Sequence, residues 1–249
     1  MPVPVTDGHE SRSGEWFSTT HWSTVLAARE AASPQASEAL EKLCRAYWWP
    51  LYAFVRRRGY DSADAQDLTQ EFFARLLEKN WLDSVDRTKG KFRSFLLAAL
   101  KNFLAKEWRR SHAQKRGGQM ALMSLDEEGA EQQYLQVAAA GLSPEQLFEQ
   151  QWATALLDQV LALLREEFAT DGKGTWFEEV KIFLTGEKRA VSYAELAVKL
   201  GTTEAALTMA VRRMRQRYGE LLRAQIAHTV ASSEEIEEEL RALLAALSL

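Results

Sequence analysis

The sequence has only one cysteine, Cys44, so no disulfide can form within the chain. Cys44 lies in an apolar stretch with helical spacing, where a buried and unreactive thiol is the usual case. Long apolar runs are also missing, and residues 1–14 lack the basic start and apolar segment of a secretion signal. These absences exclude a disulfide scaffold and favour a cytoplasmic protein without membrane contact.

Proline and glycine are scarce, with 5 and 13 residues among 249, and runs of β-branched residues are few. Alanine, leucine, glutamate and arginine dominate instead, and these residues favour helix. The chain is also longer than one typical domain. The sequence therefore predicts an all-α protein of two small helical domains joined by an acidic linker.

The formal net charge of −4 argues against nucleic-acid binding when it is taken as one number. The charge is unevenly distributed, however. Residues 87–116 contain many lysines and arginines and a single acid, Glu107, whereas residues 117–164 contain no lysine or arginine. Segment charge therefore predicts one strongly basic surface followed by an acidic connection.

Turn signals and charge divide the chain into five predicted parts. Ser143 is a candidate N-cap with Pro144 at the first helical position, which predicts that a new helical unit begins there. Gly59 predicts the end of a helix that begins near Ser37. The predicted parts are a disordered lead-in at 1–16, a helical bundle at 17–116, an acidic linker at 117–142, a helix-turn-helix domain at 143–228 and an amphipathic tail helix at 229–249.

Acidic side chains share one face of a predicted bundle helix. Four helices are predicted in the bundle, at about 17–29, 37–58, 63–80 and 91–110. The third carries Asp64, Asp67 and Glu71, which could be metal ligands or a catalytic acid pair, but no histidine has ligand spacing to them. An exposed face that contacts another protein is the favoured interpretation. We expect no metal, cofactor or active site.

Cations and aromatic rings alternate in the fourth predicted helix. Such a pattern suits unstacked bases, because cations hold the backbone while ring faces or apolar pockets accept bases. The alternative is a solvated face above a core of aromatics, and that alternative is favoured for Phe92, Phe95 and Phe103, whose spacing matches the buried stripe. Trp108 lies off that stripe, and its role stays open.

A helix-turn-helix pattern lies at residues 191–222. A short helix ends at Gly201, and Thr203 caps a longer helix. We expect apolar residues of the short helix to pack against apolar residues of the longer one. These are Leu196, Ala197 and Leu200 in the first helix and Leu207, Val211 and Met214 in the second. Other faces then present Thr208, Arg212, Arg213, Arg215 and Arg217. An ordinary helical hairpin with solvated arginines is the alternative.

Three segments in this order are similar to one known family. DSADAQDLTQEFFARLL, KFRSFLLAALKNFLAKEWRR and YAELAVKLGTTEAAL resemble the sigma-70 family of RNA polymerase sigma factors, in particular the small extracytoplasmic-function-like (ECF-like) group. The resemblance covers most of residues 37–223. It implies a sigma factor that directs bacterial RNA polymerase core to specific promoters and assists promoter melting, with a region-2-like domain at 17–116 and a region-4-like domain at 143–228.

The resemblance also implies where each partner binds. The clamp coiled coil of the largest polymerase subunit would contact Asp64, Asp67, Gln70 and Glu71, and the flap of the second subunit would be a further contact. At the −10 element Asn102 would lie near the pocket for a flipped base. The residues that would face the DNA backbone are Arg93, Lys101, Lys106, Arg109 and Arg110. Phe95 stands where relatives often carry tryptophan, so it is treated as a core residue first.

At the −35 element the second helix of the helix-turn-helix would enter the major groove. The residues nearest the bases would be Thr203, Glu204, Ala206, Thr208 and Met209, and those that position the helix would be Arg212, Arg213 and Arg215. The acidic linker would thread through the cationic active-site cleft and RNA exit channel, or would serve only as a disordered tether. An anti-sigma factor or another regulator is a further partner that the sequence leaves open.

Two other functions compete with this interpretation. A freestanding helix-turn-helix regulator would need a dimer to bind two half-sites and would not need the acids of the third helix. An enzyme that acts on nucleic acid would need clustered ligands or a nucleophile with its base, and neither is found.

Overall fold

A computed structural model describes residues 22–29, 34–78, 82, 85–86, 90–113, 127–138, 141–185 and 192–248. All regular structure in these ranges is helical, which confirms the predicted all-α fold. The predicted lead-in at 1–16, residues 17–21 of the first predicted helix and residues 117–126 of the predicted linker lie outside the described residues.

The described residues form eleven α-helices. The first five are α1 (Trp22–Arg29), α2 (Pro34–Arg57), α3 (Ser62–Glu78), α4 (Phe92–Ala113) and α5 (Glu127–Ala138). The others are α6 (Pro144–Thr170), α7 (Gly174–Val180), α8 (Ile182–Thr185), α9 (Tyr193–Lys199), α10 (Glu204–Ala227) and, after a 3-10 turn at Ser233–Glu235, α11 (Ile236–Leu247).

Local capping fixes where α6 begins. The Ser143 hydroxyl accepts a hydrogen bond from the Gln146 backbone N–H at 3.1 Å, and the Gln146 side chain accepts one from the Ser143 N–H at 2.8 Å. This capping box satisfies two donors that a helix start leaves without partners, and Pro144 lacks the N–H that would need one. The predicted start of a helix at Ser143 and Pro144 is confirmed.

The segment predicted as an acidic linker contains the helix α5, which the sequence analysis does not predict. Tyr134 is buried and Val137 packs against the same core. Glu131 pairs with Arg56 of α2, with 2.7 Å between Oε1 and Nη2, and accepts a hydrogen bond from the Tyr52 hydroxyl. These contacts hold α5 on α2, so the apolar and charged residues of this short helix stabilise it together.

Two hydrophobic clusters share the long helix α6. The first cluster contains residues of the five helices from α1 through α5, of the start of α6, of the end of α10 and of α11. Its largest buried side chains include Tyr52, Phe54, Phe72, Phe103 and Phe148. The second joins the end of α6 to α7, α9 and α10. With 27 residues α6 is about 40 Å long, so it reaches both clusters.

The two ends of the described chain meet in the first cluster. Trp22 donates from its indole Nε1 to the Thr229 carbonyl at 3.0 Å, and its backbone N–H donates to the His228 carbonyl at 3.1 Å. On α11, Leu243 and Ala246 are buried. The predicted tail helix is therefore present, and it packs into the core that α1 and α6 also form.

Candidate polymerase and nucleic-acid interface

One face of α3 presents carboxylates to solvent. Asp64, Asp67 and Glu71 are exposed and Gln70 is half-buried. On the opposite side of the helix Thr69 is fully buried, and its hydroxyl donates to the Ala65 carbonyl of the same helix at 2.7 Å. Positions three and four apart share a helix face, so this acidic face follows from the register that buries Thr69.

The acidic face is connected to α4 through Arg75. Its guanidinium contacts the Glu71 carboxylate on α3 and the Glu107 carboxylate on α4, the latter with 2.6 Å between Nη1 and Oε1. The same guanidinium lies over the Phe103 ring, with 5.1 Å to the centroid. Arg75 therefore fixes the relative position of the acidic face and the helix that carries the predicted −10 residues.

The C-terminal part of α4 is an exposed basic surface. Phe103 and Leu104 are buried in the first cluster, and the residues around them face outward. The exposed residues here include Asn102, Lys106, Trp108, Arg109 and Arg110. Positions 102, 106 and 109 lie on one helix face, because their spacing of four and three residues matches the helical repeat. Four predicted −10 residues are thus brought together, and Trp108, which is 57 % exposed, lies at the same helix end but on a different side of the helix.

Arg93 does not belong to that exposed surface, although the sequence analysis predicts that it faces DNA. It is 5 % exposed, with Nε 3.1 Å from Glu149 Oε2 of α6. Its two terminal nitrogens contact the carboxylate of Glu239 on α11, Nη2 at 3.2 Å from Oε2. Its guanidinium stacks 3.6 Å from the Trp152 ring centroid. In this conformation Arg93 is a core cation, because acids distant in sequence surround it.

The Arg93 cluster consists of Lys91, Arg93, Glu149, Trp152 and Glu239. Lys91 also contacts the Glu239 carboxylate, which is fully buried. Burial by itself lowers the pKa of Arg93, but the charges and hydrogen bonds of Glu149 and Glu239 outweigh it and raise the pKa. A buried charge is tolerated when it is paired and hydrogen-bonded, and both conditions are met here.

Sequence reasoning missed Glu239, although one signal indicates it. The buried stripe of α11 includes Leu243 and Ala246, and Glu239 lies four residues before Leu243 on that stripe. An acid on the apolar face of an amphipathic helix implies a buried cationic partner. The sequence alone does not say which cation that partner is.

Two further residues of α4, Lys101 and Phe95, are neither buried like Arg93 nor fully exposed like the C-terminal end of the helix. Lys101 is half-buried and its Nζ is 2.7 Å from Glu145 Oε1 on α6, a hydrogen bond that holds the pKa of Glu145 below its usual range. Phe95 is half-buried and stacks on Phe92, with 6.1 Å between ring centroids. The treatment of Phe95 as a core residue agrees with this packing.

The predicted helix-turn-helix corresponds to the helices α9 and α10. Thr203 accepts a hydrogen bond from the Ala206 N–H at 3.2 Å, and Gly201 has φ +64°, which glycine adopts without strain. The predicted packing between the two helices is confirmed. Leu200 is half-buried, and the other predicted residues are buried: Leu196, Ala197, Leu207, Val211 and Met214.

The start of α10 is exposed where the −35 contacts are predicted. The exposed predicted residues are Thr203, Glu204, Ala206, Thr208, Met209, Arg212 and Arg213. Arg215 is also exposed, but its guanidinium donates two hydrogen bonds to the Phe183 carbonyl, at 3.0 and 3.3 Å, and so joins α10 to α8. Arg217 pairs with Glu167 and Glu220, whose hydrogen bonds raise its pKa. The cations that remain directed outward near the helix start are Arg212 and Arg213.

No group of three acids, histidines or cysteines that could hold a metal ion is found among the described residues. Within the same ranges no helix combines the length and apolar character that a membrane span requires. The described residues form an acidic helix face and a basic helix end, and the helices α9 and α10 lie in the second cluster. These features are typical of binding surfaces.

Comparison with known proteins gives one family match. Residues 43–114, which hold most of α2 and all of α3 and α4, match the family model of Sigma-70 region 2. No curated protein and no solved structure matches the chain. Residues 43–114, less than a third of the chain, are therefore identified as a sigma-70 region 2 domain.

Proposed function

We propose that this chain is an ECF-like sigma factor that directs bacterial RNA polymerase core to specific promoters and assists their melting. The observation that carries the proposal is the region 2 match together with the geometry of α3 and α4 inside it. The match supports a role in transcription initiation. The geometry supports two separate binding faces, one acidic and one basic.

The acidic face of α3 would bind the polymerase core. Its carboxylates are exposed on a rigid helix, and Arg75 fixes that helix to α4. A preformed charged face gives specificity and fast association with a cationic partner. The proposed contact residues for the clamp coiled coil are Asp64, Asp67, Gln70 and Glu71.

The exposed end of α4 would bind the −10 element as its strands separate. Lys106, Arg109 and Arg110 can neutralise phosphates, and the Trp108 indole offers an exposed ring face. Asn102 has an amide that both donates and accepts, which suits the edge of a flipped base. Asn102, Lys106 and Arg109 lie on one face of this helix end, so a single strand could contact them together, while Trp108 lies farther round the helix.

The helix-turn-helix would bind the −35 element. The N-terminal end of α10 projects from the second cluster and has the form that enters a major groove. Thr203, Glu204, Thr208 and Met209 would then lie nearest the bases, with Ala206 between them, and Arg212 and Arg213 would contact phosphates. Arg215 would act indirectly by fixing α10 to α8 through the Phe183 carbonyl.

Co-elution with core polymerase on a sizing column tests this proposal. We expect the purified chain to co-elute with the cognate core, and the Asp64→Arg, Asp67→Arg variant to elute alone. These positions leave the Glu71–Arg75 pair intact. The matched control reverses two exposed acids elsewhere, Glu166→Arg and Glu234→Arg, and should still co-elute.

A different result would overturn the proposal. If the chain forms no complex with the cognate core, it is not a sigma factor. If it also elutes as a dimer that binds duplex DNA by itself, a freestanding helix-turn-helix regulator becomes the better interpretation, because such regulators bind paired half-sites.

A further inference from the structure

Carboxylates from the C-terminal half of the chain contact cations at the start of α4. Glu239 of α11 contacts Lys91 and Arg93, Glu149 contacts Arg93, and Glu145 contacts Lys101. Two of these cations, Arg93 and Lys101, are predicted to face the DNA backbone. The acids thus occupy the positions that phosphates would take.

The contact with Glu239 excludes DNA from Arg93. The Arg93 side chain is 6 % exposed and that of Glu239 is 0 % exposed, so no phosphate can approach while both remain in place. Trp152 closes the site from a third side, since its ring lies 3.6 Å below the guanidinium. Arg93 can therefore bind a phosphate only after Glu239 has moved away.

The tail helix that carries Glu239 packs mainly on two helices, α6 and α10. Leu243 and Ala246 are its buried apolar residues, and Ile236 and Leu240 pack half-buried against the same cluster. On its outer side Glu237 pairs with Arg223 at 3.3 Å, and both side chains are largely exposed. Because α11 follows the other helices of the first cluster in the chain, its local opening would uncover Arg93 while those helices stay packed.

We infer that α11 is an intramolecular cover over the cations at the start of α4, and that single-stranded promoter DNA binds Arg93 and Lys91 only when Glu239 is displaced. The inference rests on the proposed sigma function, and it assigns the tail a regulatory role. One anion replaces another: the carboxylate of Glu239 leaves and a phosphate of the DNA strand pairs with the same cations. Binding to polymerase core would favour the uncovered state.

A charge-neutral variant of the cover tests this inference. The probe is a short fluorescent single-stranded DNA of mixed sequence, and the readout is its affinity for the full chain at constant salt. In Glu239→Gln the tail loses its charged pair, and we expect about tenfold tighter binding, which corresponds to ~1.4 kcal/mol. The matched control is Glu238→Gln, which removes the same charge from an exposed neighbour and should bind as the unaltered chain does.

A second substitution tests whether the gain in affinity depends on Arg93 or only on the lower negative charge of the tail helix. Arg93→Gln, added to Glu239→Gln, leaves two neutral amides that can still hydrogen-bond, and it should abolish the gain in affinity. Hydrogen exchange gives an independent readout: the amides of residues 236–247 should exchange faster in Glu239→Gln and when core polymerase binds the unaltered chain. Melting curves of all variants check that the first cluster stays folded.

Several outcomes would overturn the inference. Equal affinity in Glu239→Gln and the unaltered chain, or an equal gain in Glu238→Gln, would show that the tail does not cover a DNA site. A gain that persists after Arg93→Gln would refute the assignment of Arg93. Failure of the chain to bind core polymerase would instead refute the proposed function, so the two failures are distinguishable.

Discussion

Both ends of helix α4 are basic, but their environments differ. The N-terminal end carries Lys91 and Arg93, and the C-terminal end carries Lys106, Arg109 and Arg110. Arg93 is buried against two acids and an indole, whereas the last three cations are exposed. The comparison shows that a basic segment becomes a core element or a binding surface according to what packs against it.

Neighbouring acids account for this difference. At the N-terminal end, Glu149 of α6 and Glu239 of α11 surround Arg93. At the C-terminal end the acid in contact is Glu107 of the same helix, which pairs with Arg75 and, at 3.2 Å, with Arg110. One acid shared between two arginines leaves the surface positively charged, so an external anion can bind there.

The largest expected effect is on stability. Arg93→Ala leaves Glu239 buried without its arginine partner, and breaking a buried pair in this way costs about 3–5 kcal/mol. Arg110→Ala, at a side chain that is 68 % exposed, should change stability by less than about 0.5 kcal/mol. Urea unfolding curves of the two variants measure both values. Equal stability would contradict the difference between the two ends of α4.

The next effect is on DNA binding by the exposed end. Replacing Lys106, Arg109 and Arg110 together by alanine removes three predicted phosphate contacts. At roughly 1 kcal/mol per contact, holoenzyme should bind melted promoter DNA on the order of a hundredfold more weakly. The slope of log K against log salt should fall by about 2 to 3. An unchanged slope would show that these cations do not contact phosphates.

A smaller effect, on the rate of promoter opening, is expected from Asn102, the uncharged polar residue that is predicted to contact the −10 element. Asn102→Ala should slow promoter opening by about tenfold, the loss of ~1.4 kcal/mol from hydrogen bonds to a flipped base. Binding of the variant to core polymerase should not change, because Asn102 lies on the DNA side of the predicted interface. Opening kinetics and co-elution measure the two steps separately. Loss of co-elution would place Asn102 in the polymerase contact instead.

The smallest effect concerns α5 and depends on pH. Hydrogen bonds from Arg56 hold the pKa of Glu131 below its usual value of 4.5. The pair therefore stabilises the fold at neutral pH, and its contribution is lost as the pH falls through the lowered pKa. Glu131→Gln should cost about 0.5–1 kcal/mol at pH 7, and this cost should decrease as the pH is lowered through the lowered pKa of Glu131. A cost that stays the same from pH 7 down to the start of acid unfolding would show that the ion pair does not hold α5.

Much of the fold follows from local sequence signals. The capping residues Ser143 and Thr203 predict where α6 and α10 begin, and the apolar spacing of α9 and α10 predicts their packing. The exposed acids of α3 are predicted from the same periodicity. Such signals depend on residues that lie close together in the chain, so sequence analysis captures them well.

The parts that sequence analysis missed depend on distant partners. Arg93 looks like one more cation of a basic helix, and its burial depends on Glu239, which lies 146 positions away. Helix α5 in the predicted linker is held by Arg56 and Tyr52, which are also far from it in sequence. Charge and periodicity describe a segment but do not identify what packs on it.

Mapping of DNA opening tests the central claim most directly. Core polymerase, the chain, or both are incubated with genomic DNA from the source organism, and permanganate reactivity of unpaired thymines reports melted sites. The account predicts discrete melted sites only when core and chain are present together, and fewer such sites with the Lys106, Arg109 and Arg110 alanine variant. Melted sites that do not depend on the chain, or none at all with the active core, would contradict it.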